Sequence, residues 1–387
     1  YRRQRQMCIR DRCQRGGFNM KLWKKIGENS RLKTVFLAIA ISLISGGVII
    51  ALSGNNPIEI YGKLLSGALG SQFAIASTIR WTTPVLFTGV AAAIGFRGGM
   101  FNIGVEGQLY IGALLSALAG YMIKGLPAPL HLLLCLAAGA LGGMLWALIP
   151  AVARVYFGAS EMVLTLMTNY VAIYLTDYLV KYHFLAGGSY GTTLVTPEIA
   201  DTAKLSKLWP TLSAHTGIFI GLFMVFLFWL ILQKTQLGYE IHISGLNPTF
   251  AKCGGVNVHK VRMSVMFLSG AIAGIGGSVE VLGYLYKFMS QFSPDFGFDG
   301  LAVALLGGNT PLGVLLSGFF MGIIKAGSLQ VERATAVSRS LSMIIQGIMI
   351  TFVACKAIKL DFKGIYKRGL SFIKRRNSQE GEGAKAP

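Results

Sequence analysis

Three carboxylates stand within the apolar part of the chain, Glu280 and Asp299 in apolar segments and Glu106 at the junction of two apolar runs. An ionisable side chain in such surroundings must be paired, face water or carry an ion or proton, because leaving it to lipid is expensive. The densest polar cluster is Gly95–Gly112, GFRGGMFNIGVEGQLYIG. It sets Arg97, Asn102, Glu106 and Gln108 among the helix-breaking Gly98, Gly99, Gly104 and Gly107. A central Arg costs roughly 2.5–3.5 kcal/mol on insertion scales, and carbonyls freed at glycines need the same shelter from lipid. The segment therefore fits a polar element at a translocation path; a glycine-rich turn at the membrane surface, with Arg97 snorkelling, fits the same residues. Thr165, Asn169 and Asp177, spaced four and eight apart, share one helix face that is either wet or a contact face. Asp299 either lines the path or caps a short helix. Catalytic constellations are missing: no G-x-x-x-x-G-K-[ST], G-x-S-x-G or H-E-x-x-H motif occurs, no Cys-x-x-Cys exists, and the five histidines are scattered. An enzyme, a metal site or a cofactor is not expected.

The elements that must hold these groups are membrane helices. The chain has 387 residues, 53% of them hydrophobic and 13% charged, with a mean hydropathy of +0.57, which excludes a water-soluble protein. Charged residues are absent from Thr34–Ile58, Gly125–Ala153, Leu208–Gln233 and Gly300–Ile324. The shortest of these runs has 25 residues, enough at 1.5 Å each to cross a core of roughly 30 Å. Apolar runs between punctuation predict spans near 34–54, 82–96, 104–123, 130–153, 161–181, 214–233, 263–284, 311–329 and 338–356. Ala68–Ile79 is read as an amphipathic or re-entrant segment, and Phe298–Leu306 as a half-span. The expected fold is an all-α polytopic bundle of about 8–10 transmembrane helices with broken or re-entrant segments. Two Gly-interrupted segments, 95–112 and 297–313, lie in opposite halves, as a midplane substrate path tends to require. The pairs Gly270/Gly274 and Gly318/Gly322 suit close helix packing, within the bundle or at a dimer interface.

The net charge of +20 is concentrated in three places. Residues 1–33, 234–262 and 356–387 carry eighteen of those twenty charges, so the positive-inside bias places both termini and the middle loop in the cytoplasm. Nucleic acid is a poor partner, since no basic stretch is interleaved with stacking aromatics. The connection 182–213, whose four charges cancel, belongs outside. Five cysteines scattered over leader, spans and loop predict no disulfides. Residues 1–19 are expected to be a non-native leader, with Met20 opening a basic cytoplasmic N-terminus over 20–33. The membrane domain then covers 34–356, and a basic cytoplasmic tail covers 357–387.

Within the middle loop, LGYEIHISGLNPTFAKCGGVNVHKVRM (237–263) contains a helix start at Asn247-Pro248 and a stop at Gly254-Gly255. The result is a cytoplasmic helix of about two turns displaying Phe250 and Lys252, shaped to dock in a groove of a cytosolic partner. A solvated basic loop on anionic lipid is the alternative.

FNIGVEGQLYIGA (101–113) closely resembles the signature of permease subunits of nucleoside-type ABC importers, within the ribose and branched-chain amino acid permease family. The middle loop resembles their coupling loop. The resemblance assigns ATPase contact to Gly245, Leu246, Asn247, Pro248, Phe250, Ala251, Lys252 and Gly255, with His242, Phe250 and Cys253 departing from the usual pattern. LSGAIAGIGGSVEVLG (268–283) and FGFDGLAVALLGGNTPLGV (296–314) extend the similarity to about Lys363. It implies half of a translocation path for a nucleoside, for which Asn102, Glu106, Gln108, Asn169 and Asp299 are the candidate residues. Implied partners are a cytosolic ABC ATPase, a second homologous permease and an extracytoplasmic substrate-binding protein at a bacterial plasma membrane. Ribose-like sugars are the rival cargo. An ion-coupled secondary transporter, using Glu106, Glu280 or Asp299, is the rival mechanism.

Overall fold

A computed structural model describes residues 44–48, 50–52, 56–187 and 194–334. The leader, the 20–33 segment, most of the first predicted span, the 338–356 span and the tail lie outside the described residues. In chain order the helices are α1 (Pro57–Leu69), α2 (Gln72–Arg97), α3 (Val105–Met122), α4 (Ala128–Phe157), α5 (Glu161–His183), α6 (Gly217–Lys234), α7 (Gln236–Leu246), α8 (Pro248–Cys253), α9 (Val258–Glu280), α10 (Phe296–Leu306) and α11 (Pro311–Ala334). A π-turn, Val281–Leu285, continues α9. Among the described residues there is no strand beyond the isolated bridges Val195–Met289 and Lys207–His215, which fits the all-α expectation.

Among the described residues, six helices are long and apolar enough to cross a membrane: α2, α4, α5, α6, α9 with its π-turn, and α11. Helix α3 falls short because Glu106 and Gln108 lie in its first turns. Helix α10, at 11 residues, rises only about 16 Å, half a hydrocarbon core, as the half-span reading anticipated. Helices α2 and α9 are the most buried, α4 and α3 pack on α9, and α10 and α11 pack on α2. The outer faces of α4 (Leu133, Leu141, Leu145, Ile149) and α6 (Phe219, Phe223, Phe226) expose apolar side chains, as a surface solvated by lipid would.

One predicted boundary is wrong. Residues 72–79 are the opening turns of α2, which runs unbroken to Arg97, so Ala68–Ile79 is not a separate re-entrant segment. Ser71 caps the helix by accepting from the Ala74 amide at 3.1 Å. The polarity that suggested a surface location is used inside the bundle. The Thr78 hydroxyl donates to the Ala68 carbonyl at 2.7 Å, and Arg80 pairs with Glu280.

Small residues set how closely the central helices approach. A Cβ at Gly274 would collide with the Gly139 carbonyl, and one at Gly143 with that of Gly270, so α4 and α9 meet backbone to backbone. Gly318 and Gly322 take up Leu86 and Thr82 of α2. Both glycine pairs thus serve packing within this chain.

Candidate functional site

The break between α2 and α3 is a polar elbow built on Asn102. Its Oδ1 accepts from the Gly104 amide at 3.0 Å and from Gln108 Nε2 at 3.2 Å. Its Nδ2 donates to Gln108 Oε1 at 3.0 Å and to the Ser269 hydroxyl at 2.8 Å, and that hydroxyl donates on to the Ala91 carbonyl at 2.7 Å. One side chain therefore joins both arms of the elbow to α9. Asn169 of α5 grips the elbow from outside, accepting from the Gly107 amide at 2.8 Å and donating to the Ile103 carbonyl at 2.9 Å. Below it, Thr165 Oγ1 accepts from the Ile103 amide at 3.3 Å. Asp177, on the same face, accepts from the Ser290 hydroxyl at 2.7 Å. The Thr165/Asn169/Asp177 face is a contact face.

The two glycine-broken segments, far apart in sequence, meet in space. Glu106 accepts from the Gly297 amide in the first turn of α10, where the exposed amides of a helix N-terminus favour a carboxylate. Arg97 Nε donates to the Asn309 carbonyl at 2.9 Å beyond the other end of α10. Thr88 Oγ1 donates to the Phe296 carbonyl at 2.8 Å. The half-helix is thus held to the elbow at both ends.

Ion pairs take up the other intramembrane carboxylates. Asp299 pairs with Lys325 of α11, and Lys325 Nζ also donates to the Pro294 carbonyl at 3.2 Å. Glu280 pairs with Arg80, whose guanidinium lies 4.2 Å from the Trp81 ring centroid and 4.0 Å from that of Tyr284. Sequence reasoning missed Arg80 and Lys325. An Arg and a Lys isolated in apolar helices were the available signal, but the partners lie 200 and 26 residues away.

The middle loop folds into two helices where one was expected. Thr235 caps α7 by accepting from the Gly238 amide at 3.1 Å. Asn247 then ends α7 and caps α8, its Oδ1 accepting from the Phe250 amide at 3.0 Å, with Pro248 at the first helical position. Gly254 closes α8 and Gly255 follows at φ 84°, a left-handed conformation that suits glycine. Leu246, Phe250 and Lys252 are exposed, whereas Ala251 is buried toward the bundle and offers no surface to a partner. Gly245 lies against the elbow: a Cβ there would strike the Arg97 carbonyl, and one on Gly99 would come within 3.2 Å of the Gly245 Cα.

All five predicted path residues, Asn102, Glu106, Gln108, Asn169 and Asp299, are buried. The elbow brings the first four together, and Asp299 sits two residues further along α10 from the Glu106 contact. In this conformation their polar atoms bond within the protein, and none of the five lines the cavity of about 660 Å³ found near Arg80. No group of three or more potential metal ligands occurs among the described residues.

Comparison with known proteins agrees with this architecture. The family described as "Branched-chain amino acid transport system / permease component" matches residues 74–354. The chain is 34% identical over 348 residues to the guanosine ABC transporter permease protein NupP of Bacillus subtilis, covering 88% of this chain and 98% of that protein. It is 31% identical over 352 residues to the glucose ABC transporter permease protein TsgB13 of Haloferax volcanii, covering 89% and 91%. It is 30% identical over 329 residues to the nucleoside ABC transporter permease protein NupB of Lactococcus lactis, covering 83% and 90%. No solved structure matches. With its helices, polar elbow and capped loop helices accounted for, the chain belongs to the branched-chain amino acid transport system permease family and is a multi-pass permease subunit of an ABC importer.

Proposed function

We propose that this chain forms half of the translocation path for a nucleoside, that a cytosolic ATPase drives it through α7 and α8, and that an extracytoplasmic binding protein delivers the cargo. A second, homologous permease supplies the other half. The observation that carries this reading is the contact of Gly245 with the Arg97–Gly99 backbone. A push on α8 passes through α7 to the elbow, and from Arg97 and Glu106 to both ends of α10. Each link is a backbone contact or a buried or part-buried hydrogen bond, stiff enough to transmit a displacement of an ångström or two between packed states.

Asn102, Glu106, Gln108, Asn169 and Asp299 border the path once the elbow and half-helix shift. The positive-inside bias supports α7, α8 and both termini on the cytoplasmic side. Nucleoside cargo is supported by the guanosine and nucleoside permeases among the relatives, and the glucose permease keeps simple sugars as a second reading. The ion pairs of Glu280 and Asp299, and the Gly297 bond of Glu106, engage the carboxylates that an ion-coupled carrier needs.

The test is to replace Asn247-Pro248 with Gly-Gly, which removes the cap and the preset first turn of α8. Membrane insertion should persist while ATP-driven uptake of labelled nucleoside falls at least tenfold. Uptake at the unmodified rate would refute the coupling role.

A further inference from the structure

At the end of the bundle remote from α8, a cavity of about 660 Å³ opens between α1, the first turns of α2, the π-turn, the last turns of α11 and residues 207–213. Arg80, which helps to line it, lies 17 residues along α2 from Arg97, about 25 Å from the elbow. The volume falls within the range of small-molecule sites.

Its lining has a distinct chemistry. Arg80 is 7% exposed and held between Trp81 and Tyr284. Glu280 engages one terminal nitrogen, and Nε has no partner among the described residues. Lys207 and Arg333 stand exposed at the rim, and no carboxylate is among the lining residues. Ser66, Ser71, Ser77 and Gln330 supply neutral polar groups. The wall beside Arg80 is unusual in its backbone. A π-turn, rare and frequent at functional sites, leads into Tyr286 at φ 58°, left-handed for a bulky residue. These two departures place Tyr284 and Tyr286 on the cavity wall.

We propose that this cavity is the site that first receives the substrate, and that it selects neutral nucleosides whose base presents a carbonyl oxygen, an oxo-purine or a uracil-type ring. The inference rests on the nucleoside reading above and adds a place and a selectivity to it. A planar base stacks on the exposed Tyr284 ring. Arg80, Lys207 and Arg333 can only donate hydrogen bonds, so they match a carbonyl edge, while an amino edge or an ammonium group meets no carboxylate. An anion is the poorer match. The buried cation is already neutralised by Glu280, and the two that remain are at the solvated rim. The ribose hydroxyls fall to the serines and Gln330.

The assembled importer in proteoliposomes is photolabelled with 8-azidoguanosine, and the adducts are mapped by mass spectrometry. Label within 77–81 or 284–286 is expected, with inosine protecting at a tenfold lower concentration than adenosine, which carries an amine in place of the carbonyl. A complex that imports guanosine yet shows protectable label only elsewhere, or equal protection by the two competitors, overturns the proposal and leaves the nucleoside reading standing. A complex that imports no nucleoside overturns that reading itself. Two variants give an independent check. Arg80→Lys keeps a cation for Glu280 but loses the remaining guanidinium donors, and should lower inosine uptake tenfold while sparing adenosine. The rim variant Gln330→Leu should raise KM several-fold for both. If neither variant alters uptake in protein that reaches the membrane normally, the cavity is not the site.

Discussion

Replacing Lys325 with methionine keeps most of the apolar stem beside Trp81 and Phe296, whose centroids lie 5.5 Å from Nζ, but strands the carboxylate of Asp299. The two side chains are 11% and 8% exposed, so solvent screens the pair little. At a contact distance near 3 Å and an effective dielectric of about 20, the mutual attraction is about 5 kcal/mol, roughly what desolvating the two ions costs. The intact pair is therefore nearly neutral for stability, while losing one partner costs about 3–5 kcal/mol because a charge is left buried. Adding Asp299→Asn removes that charge, and the double variant should recover about 2 kcal/mol over Lys325→Met alone. Unfolding in mixed micelles on titration with sodium dodecyl sulfate, followed by tryptophan fluorescence, measures both differences. A single variant within 1 kcal/mol of the parent, or a double variant less stable than the single one, would refute the buried-pair argument. Nucleoside uptake by the double variant separates a second role: if Asp299 borders the path, uptake falls although stability is regained.

Three further outcomes follow from the same geometry. Asn102→Ala leaves the Gly104 amide and both ends of the Gln108 amide without their partner, and at about 1–3 kcal/mol per orphaned buried group it should cost about 3 kcal/mol or more in the same unfolding assay. Gly245→Val forces α7 off the Arg97 carbonyl, so substrate-stimulated ATP hydrolysis in the assembled complex should lose its link to uptake, with transport per ATP falling at least fivefold at unchanged expression. His215 lies two residues before α6, where burial and then the Arg80 charge push its imidazole down to about 4, so the ring is neutral at physiological pH. Because the unfolded chain takes up that proton near pH 6.5, stability should be flat above pH 6.5 and fall toward pH 4 by about 3 kcal/mol, and His215→Leu should flatten that slope.

Much of the fold was written in local patterns. The apolar runs between punctuation located most spans because a helix must cover the hydrocarbon thickness, and Asn247-Pro248 with Gly254-Gly255 announced α8 because caps and stops act over a few residues. The half-helix α10 was visible for the same reason. Helix α7 was not: its mixed composition carries no strong period, and its only clear signal is the Thr235 cap. The start of α2 was misplaced because polarity reads as surface until its partners are known, and the partner of Arg80 lies on another helix.

The sequence by itself determined that the protein is a membrane bundle, where its basic segments lie, and that a polar elbow and a capped loop helix interrupt it. Those are properties of composition and of neighbours within a helical turn. Only the tertiary structure decided that the elbow, the half-helix and the loop helices touch one another, and that Glu280 and Asp299 are neutralised by Arg80 and Lys325. The physical reason is that a buried charge or an interrupted helix obliges the chain to find a partner but says nothing about which one; packing of distant helices makes that choice.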